Sequence, residues 1–507
     1  MFQYQEPKTT KTKNARMMME EMKSKIKLLF NSRLTFLQKM DALKTYLLPQ
    51  MDYMLENGQF SYEDLNKLDM FIRGSIDREI GAIQIPIDFF YTATSHGGLG
   101  LNMLTQLQPI KQLSKLGKML TSYSEETKTF TRMMIREEEK LRKTIHDDNA
   151  LFLDWAETED GNFKQNSSRG TNCAAAQEFQ AAHKLNIGFR IDDDNVLLNN
   201  GNEVIKCTNA KDLHRCMKTV LKKRHYDELK KMPVHGHSFR TTGDIKTSNK
   251  IMSTTKRKRD TKIAAFTIMA RTNTLPTPEI LALMNKRANP LCEKCSGYGE
   301  STNASLAHII NKCKHSLVQY KNRHNWIVNI LIKAIKEKQP NAIIHESQSI
   351  TLNERRLTQP NSSLLPDIWY INSRNEIEII EVSIPYGTTF LLEGNEVPSL
   401  SVAGKAKQDK YESLRSEAAN TFNLKTNLHV IIVSSLGAIP RETHETLLSL
   451  FNSREAKIME ERMSYKAILG SALIFWGKDL NAHENEVPSD IAEGLVGEVA
   501  PRQQIQT

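Results

Sequence analysis

The sequence contains no long apolar run and few cysteines. No stretch approaches the roughly 18 consecutive apolar residues of a transmembrane helix, so we expect no membrane-spanning segment. Residues 1–23 are polar and basic, and they lack the apolar core of a signal peptide. Six cysteines among 507 residues are too few for a disulfide scaffold. These absences favour an intracellular protein whose thiols stay reduced.

The balance of residue types is that of a globular protein with excess positive charge. Hydrophobic residues make up 39% of the chain and charged residues 25%, which excludes overall disorder. The length corresponds to about three domains, and we find no internal repeats. The net charge of +10 favours polyanionic partners, with nucleic acid first and an anionic membrane surface second.

Apolar residues recur at helical spacing through the N-terminal part of the chain. The segment LTFLQKMDALKTYLLPQMDYML predicts a helix that Pro49 ends or kinks. Ser61 is the expected cap of the next helix, SYEDLNKLDMFIRGSI. The glycines of HGGLGL, residues 96–101, fit neither a Walker loop nor a dinucleotide fingerprint. We therefore expect a turn there. Most of residues 105–230 reads as helical and charged.

A basic segment lies at residues 246–262, KTSNKIMSTTKRKRDTK, with seven basic residues and one acid. It is either a solvated loop or helix face, or a site of phosphate contact or nuclear targeting. Composition does not decide between these alternatives.

Three cysteines lie within 22 residues, in the pattern C-x2-C-x12-H-x4-C formed by Cys292, Cys295, His308 and Cys313. Two cysteines two apart can bind zinc from one turn, and tetrahedral zinc takes four sulfur and nitrogen ligands. Four protein ligands leave no open position, so the pattern predicts a structural zinc ion. His315 or His324 could be the fourth ligand instead. The alternative is free buried cysteines with His308 on the surface.

The segment LLPDIWYINSRNEIEIIEVSIPYG, residues 364–387, predicts two strands joined by a polar turn. Glu381 shares a strand face with Ile377 and Ile379, the face expected to be buried. A hairpin can bring Asp367 and Glu381 to the same end of a sheet. Two such carboxylates predict a magnesium or manganese site that could act on a phosphodiester. Alternatively, Asp367 is a turn residue and Glu381 pairs with a lysine.

A basic helix follows this hairpin and precedes a buried strand. In KAKQDKYESL the residues Lys407, Lys410 and Tyr411 share one helix face. The later run NLHVIIVSS is typical of a buried parallel strand, which would complete a crossover unit. A lysine beside two carboxylates could hold developing charge or orient water. The pattern therefore predicts a metal-dependent nuclease.

Taken together, residues 25–470 resemble the C-terminal part of a non-LTR retrotransposon polyprotein that carries a restriction-enzyme-like endonuclease. The helical segments through HGGLGL resemble the reverse-transcriptase thumb, and ARTNTLPTPEIL resembles the linker signature. The cysteine cluster resembles the zinc knuckle, and RHN at residues 323–325 resembles the arginine–histidine–aspartate motif. LLPDIWYI with IIEVSIP resembles the Pro-Asp…Asp core, and KQDKY resembles the K-x-x-K-Y helix.

The resemblance implies an α+β multidomain protein with a restriction-endonuclease-like PD-(D/E)xK domain. It implies an enzyme that nicks target DNA in the nucleus for target-primed reverse transcription of the element's RNA, with Asp367, Glu381, Lys407, Lys410 and Tyr411 in the active site. The predicted division is a disordered N-terminus at 1–25, thumb-like helices at 26–125, a helical basic linker at 126–285, the zinc knuckle and following helix at 286–340, the endonuclease at 341–478 and a disordered tail at 479–507. Knuckle and linker are implied to contact nucleic acid, through Lys256, Arg257, Lys258, Arg259, Arg271, Arg323 and His324.

The chain departs from the family pattern in three places. No Y/F-x-D-D turn is present, and RIDDDNVLL lies after the thumb, so we do not expect polymerisation by this chain alone. The knuckle gap is longer than usual. Glu381 replaces the more frequent aspartate, and Ser383 stands where a simpler nuclease has lysine. A catalytically inactive nucleic-acid-binding remnant and a fragment that docks onto a separate polymerase part of the element are the competing interpretations.

Overall fold

A computed structural model describes residues 8–57, 60–142, 151–152, 181–182, 184–192, 195–199, 204–242, 245–253, 258–358, 360–392 and 395–478. Long helices and four small sheets make up these residues, which confirms the expected α+β class. The predicted tail at 479–507 lies outside them. Within the described ranges, no helix has the length and apolar character needed to cross a bilayer.

Seven helices form the N-terminal part. Their bounds are α1 Lys8–Asn31, α2 Phe36–Ala42, α3 Asp52–Glu56, α4 Tyr62–Ile80, α5 Ile87–Tyr91, α6 Leu104–Leu120 and α7 Glu125–Arg142. Ser61 caps α4 as predicted, with its hydroxyl accepting from the Asp64 amide. The helix expected around Pro49 is interrupted by a π turn, Leu43–Leu47, and a 3-10 turn, Leu48–Met51. Proline lacks an amide hydrogen and obstructs the preceding turn, which explains the break.

The first 25 residues differ from the predicted disorder, because helix α1 begins at Lys8. Ala15, Met19, Met22 and Ile26 are all buried. Their spacing of four, three and four residues places them on one helix face. Burial of this apolar face stabilises a segment whose polar composition alone predicts disorder. Residues 1–7 lie outside the described residues.

The HGGLGL segment forms a turn, as expected. Gly97 has a φ of 89°, a conformation that favours glycine. A Cβ added at Gly98 would lie 2.3 Å from the carbonyl oxygen of Thr92. The following amides of Leu99 and Leu101 donate to the carbonyls of Phe89 and Phe90 at 3.1 and 3.0 Å. The glycines therefore serve close backbone packing.

A four-stranded antiparallel sheet replaces part of the helical linker predicted at 126–285. The strands pair in the order β1 Leu151–Phe152, β2 Gly188–Asp192, β3 Asn195–Asn199 and β4 Val204–Cys207. Val196 and Leu198 are buried at the two-residue period of a strand. The two short apolar periods lie within a charged segment, and the sheet therefore differs from the helical prediction for this region. Within RIDDDNVLL, Asp192 at the end of β2 pairs in register with Asn195 at the start of β3.

Helices then lead to the cysteine cluster and the second sheet. Their bounds are α8 Ala210–Lys231, α9 Phe239–Thr242, a 3-10 turn Lys246–Ser253, α10 Lys258–Arg271, α11 Pro278–Leu283, α12 Glu293–Ser296 and α13 Leu317–Lys338. Thr277 caps α11 as predicted. The predicted helix at 317–338 is confirmed as α13.

The C-terminal part has a four-stranded sheet with the order β12, β9, β8, β5. The strands and helices are β5 Ile344–Glu346, β6 Thr351–Leu352, β7 Arg355–Arg356, β8 Ile368–Ile371, β9 Ile377–Ser383, β10 Thr389–Leu392, β11 Asn395–Pro398, α14 Ser399–Phe422, β12 Thr426–Ile432, α15 Arg441–Leu450 and α16 Ser453–Phe475. β8 and β9 form the predicted antiparallel hairpin, and β12 runs parallel to β9. The strand–helix–strand crossover is therefore confirmed.

Both faces of this sheet are buried. Ile380, Val382 and Ile431 belong to a cluster with α13 and α16, while Ile377 and Ile379 pack with residues of α14 on the other face. Helix α16 also contributes to the large cluster that contains α1 and the N-terminal helices. The predicted boundaries at 285/286 and 340/341 are thus crossed by apolar packing.

Candidate metal and nuclease centres

The structure brings Cys292, Cys295, His308 and Cys313 together as a buried cluster, with ligand atoms within 4.8 Å of one another. The Cys295 Sγ lies 3.8 Å from the Cys313 Sγ and 3.3 Å from the His308 Nε2. Sulfurs about 2.3 Å from a tetrahedral zinc ion are separated by about 3.8 Å. The donor set and its spacing therefore fit a metal such as zinc.

Local backbone structure explains why these four residues meet. Cys292 precedes the short helix α12, and its amide donates to the Thr302 carbonyl at 2.8 Å. His308 and Cys313 stand at the two ends of a π turn, closed by a 2.8 Å hydrogen bond from the Cys313 amide to the His308 carbonyl. Because a π turn is wider than an α turn, it brings both side chains into the same cluster. The sequence spacing alone does not indicate a π turn.

The two alternative histidine ligands have other partners. His315 stacks on Tyr298 with a centroid separation of 4.0 Å, although it forms a second possible metal-holding group with Cys295 and Glu300. His324 contacts Asp367 instead. Burial and the neighbouring Cys313 and Cys292 raise the pKa of Cys295 to about 12. A bound cation would favour the thiolate, which is the metal-binding form.

The second centre is built around Asp367 and Glu381. Asp367 immediately precedes β8, and Glu381 lies on β9 with a fully buried side chain. Each carboxylate accepts a backbone hydrogen bond that ties it to the other strand. The Asp367 Oδ2 accepts from the Val382 amide at 2.7 Å, and the Glu381 Oε1 accepts from the Asp367 amide at 3.1 Å. The hairpin register therefore sets both acids at one end of the sheet.

Helix α14 brings its basic face to this end. Lys407 Nζ lies 2.8 Å from the Glu381 Oε2. The buried Tyr411 donates to the Leu365 carbonyl at 3.5 Å, and its ring lies 5.6 Å from Lys407 Nζ and 4.9 Å from Lys410 Nζ. Lys407 and Tyr411 are thus brought to the hairpin, with Lys407 in direct contact with Glu381, whereas the exposed Lys410 contacts the Tyr411 ring. The alternative expectation that Glu381 pairs with a lysine also describes this geometry.

His324 joins the centre from α13, a contact that the sequence did not indicate. Its Nε2 lies 3.2 Å from the Asp367 Oδ2 and 3.3 Å from the Val382 carbonyl oxygen. The two residues are 43 positions apart, so no local pattern could reveal the pair. The resemblance of RHN to the family motif predicts that His324 contacts nucleic acid. In the structure, His324 contacts the carboxylate of Asp367.

The electrostatics of the two acids differ. Burial and the charge of Asp367 raise the pKa of Glu381, and Lys407 opposes this rise. Burial also acts to raise the pKa of Asp367, but His324 and the Val382 amide outweigh it and hold that pKa below its usual value. The pKa of His324 is raised, because Asp367 outweighs the effect of burial. Asp367 is therefore the readily ionised member.

Two arginines predicted to contact nucleic acid are buried and bound to protein. Arg271 donates to the carbonyls of Ser248 and Leu436 and to the Asn249 side chain, at 2.7–3.1 Å. Arg323 donates to the Ser471 hydroxyl at 2.7 Å and lies over Tyr320. Both side chains are only 2% exposed, so these arginines connect parts of the protein and are not available for the predicted nucleic-acid contact.

The basic KRKR segment falls at the edge of the described chain. Lys256 and Arg257 lie outside the described residues. Lys258 and Arg259 begin the backbone of α10, where the structure describes the helix only. Their predicted nucleic-acid contact stays a prediction.

No protein-family model matches this chain, and comparison with curated proteins gives no match.

Proposed function

We propose that this chain is a metal-dependent DNA endonuclease whose active site is the Asp367–Glu381 centre. The observation that carries the proposal is a buried carboxylate, Glu381, beside a second carboxylate and 2.8 Å from the Lys407 ammonium. Acids arranged with a cation at the open end of a strand pair fit phosphodiester chemistry. The motif order read from the sequence supports the same reaction.

The oxygen donors fit magnesium or manganese, since hard cations prefer carboxylate oxygens. Asp367 and Glu381 would hold the ion, which when bound supplies water activation and stabilisation of the leaving oxygen. The repulsion that Asp367 exerts on Glu381, raising its pKa, is the kind of strain that a cation relieves. Lys407, once released from Glu381, would hold charge on the phosphate oxygens. Lys410 and Tyr411 would line the approach.

His324 would act as a positioning residue. It holds the Asp367 Oδ2 opposite the Val382 amide, so the carboxylate cannot rotate freely. The zinc cluster lies just before α13, the helix that carries His324. A structural zinc ion there would fix the start of α13, and with it the position of His324.

The proposed biological role is nicking of chromosomal DNA in the nucleus, as a step of target-primed reverse transcription. The element's RNA and its polymerase part would be the further partners. The support for this role is the motif order of thumb, linker, knuckle and nuclease in the sequence.

A second candidate is a nucleic-acid-binding protein without cleavage activity. One observation favours it: both carboxylates are already satisfied within the protein. Glu381 binds Lys407 and the Asp367 amide, and Asp367 binds His324 and the Val382 amide. The nuclease requires that a metal ion compete successfully with these partners.

The deciding experiment is a nicking assay of the full chain on supercoiled plasmid and branched DNA, with magnesium or manganese at low salt. Asp367→Ala and Glu381→Ala should abolish cleavage while DNA binding remains. Asp409→Asn, which removes an exposed carboxylate on α14, is the matched control and should cleave like the parent. Cleavage that survives in both alanine variants would exclude this centre. Binding without cleavage by the parent, with zinc retained, would favour the second candidate.

A further inference from the structure

A second charged feature lies in the N-terminal part of the chain, on elements that do not contribute to the Asp367–Glu381 centre. Four lysines on three elements converge there, and we name them the lysine quartet: Lys44, Lys111, Lys218 and Lys222. Lys44 belongs to the π turn after α2, Lys111 to α6, and the other two to α8. None of the four is fully exposed, and Lys44 and Lys111 retain 25% and 19% of their side-chain exposure.

Backbone carbonyls of the glycine turn fix one end of the quartet. Lys222 Nζ donates to the Gly100 carbonyl at 3.0 Å, and Lys44 Nζ donates to the Leu99 carbonyl at 3.4 Å. Because these carbonyls belong to consecutive residues, the two ammonium groups are held near each other. The HGGLGL turn does not have the glycine spacing of a phosphate-binding loop, but its carbonyls position two lysine side chains.

A contact between α6 and α8 fixes the other end. Ser114 Oγ lies 3.1 Å from the His214 Nδ1. Lys111 precedes Ser114 by three residues, and Lys218 follows His214 by four, so each lysine shares a helix face with one member of this contact. Burial has the largest effect on the pKa of His214, and together with the charges of Lys218 and Lys111 it lowers this pKa to about 4. Lys111 and Lys218 therefore face one another across the two helices.

Carboxylates do not balance the quartet. Lys111 pairs with Asp52 at 2.6 Å, and Lys44 lies 3.7 Å from Asp41. In the described part of the chain, Lys218 and Lys222 have no carboxylate within 4.0 Å. Both line a small cavity together with Gln106. Burial, Lys218 and Lys44 lower the pKa of Lys222 to about 8. Four cations sharing two acids create a site that an anion would stabilise.

We propose that the lysine quartet binds the phosphodiester backbone of a nucleic acid. Lys218 and Lys222 are one helical turn apart on α8, with Lys111 facing the first and Lys44 facing the second. Two adjacent pairs of cations along one helix suit successive phosphates of a strand better than one isolated phosphate. The net charge of +10 draws the same kind of partner. This site is independent of the Asp367–Glu381 centre.

The first test compares two double variants of α8 that remove the same charge. Lys218→Gln with Lys222→Gln alters the quartet, and Lys211→Gln with Lys223→Gln alters two exposed positions on the same helix. Affinity for a DNA duplex and for an RNA duplex is measured by fluorescence anisotropy over a range of salt, without divalent metal. The quartet variant should lower the slope of log K against log salt by about 1.8, because each phosphate contact contributes about 0.9 for duplex DNA. At about 0.1 M salt this slope corresponds to roughly 60-fold weaker binding. Equal effects of the two double variants would overturn the proposal.

The second test uses the unaltered protein, so it does not depend on the folding of a variant. Lysines are acylated briefly with and without nucleic acid, and the modified positions are measured by mass spectrometry. Nucleic acid should protect Lys218 and Lys222 but leave Lys211 and Lys223 reactive. Stronger protection by RNA or by DNA would identify the source of the phosphates. Unchanged reactivity at Lys218 and Lys222, or protection by inorganic triphosphate alone, would overturn the proposal.

Discussion

Lys407 on α14 holds the fully buried carboxylate of Glu381 on β9 at 2.8 Å, while the lysine itself stays 28% exposed. The pair forms because the crossover from β9 through α14 to β12 returns the helix over the strand. A buried acid that is reached only by a partly exposed lysine can exchange that partner for a metal ion. The relationship is therefore central to both stability and proposed activity.

Removal of this lysine should destabilise the protein through the carboxylate left behind. We expect Lys407→Ala to lower the free energy of unfolding by about 1–3 kcal/mol at neutral pH, below the range for a fully buried pair because Lys407 is partly exposed. The pKa of Glu381 is already raised, so protonation of Glu381 stabilises the fold at low pH and that contribution is lost as pH rises. The loss in the variant should therefore be smaller in acid than at neutral pH.

Urea denaturation of the parent and Lys407→Ala at several pH values checks this expectation. Lys410→Ala, on the same helix, should have little effect because Lys410 forms no ion pair in the described part of the chain. The double variant Lys407→Ala with Glu381→Gln should recover much of the loss. An equal loss at every pH would contradict the assigned role of the unpaired carboxylate.

Zinc binding should distinguish the four cluster residues from His315. His308→Ala should lower the zinc content of the purified chain and expose the knuckle to proteolysis, since structural zinc contributes about 10–16 kcal/mol of apparent binding free energy. His315→Ala should retain one zinc ion per chain. Metal content by mass spectrometry decides between them. Loss of zinc in His315→Ala alone would favour the second group, Cys295, Glu300 and His315.

The buried carboxylate of Asp69 makes stability depend on pH in a defined window. It accepts from the Leu104 and Thr105 amides at 3.0 and 3.3 Å, and burial raises its pKa to about 6. A raised pKa in the folded state gives stability below the unfolded value of about 3.9 that is lost as pH rises through about 6. Relative to Asp69→Asn, the parent should lose about 2–3 kcal/mol across this window.

Chemical denaturation of both proteins between these pH limits measures the difference. The comparison depends on the slope with pH, so a constant offset caused by the amide does not matter. Asp64→Asn on the exposed side of α4, where Asp64 accepts from the Ser61 hydroxyl, is the control and should show no such step near pH 6. A parallel pair of curves for the parent and Asp69→Asn would contradict this prediction.

Sequence patterns predicted what local periodicity and spacing determine. The strand pair around Asp367 and Glu381, the capped helix after Ser61 and the cysteine–histidine cluster all follow from short-range patterns. The His324–Asp367 contact and the burial of Arg323 did not, since both depend on how α13 packs against the sheet and α16. The strands before α8 were missed because their short apolar periods lie within a charged segment.

Gly470 on α16 provides the last test, because the Arg323 side chain packs directly against this position. A Cβ at Gly470 would lie 2.7 Å from the Arg323 Cγ and 3.0 Å from its Cδ. Alanine normally favours a helix interior over glycine by about 1 kcal/mol. Here the clash should dominate, and Gly470→Ala should destabilise by about 1–3 kcal/mol, the usual cost of overpacking.

The matched control is Gly404→Ala on α14, where the nearest atom to an added Cβ is the Ile432 Cγ1 at 3.5 Å. That change should leave stability equal or higher. In an Arg323→Ala background the clash at Gly470 disappears, so Gly470→Ala should change sign and become stabilising. Thermal denaturation of the parent, Gly470→Ala, Arg323→Ala and their double variant gives the coupling free energy, with Gly404→Ala as the control. If Gly470→Ala destabilises equally with and without Arg323, the guanidinium stem is not what requires glycine at this position.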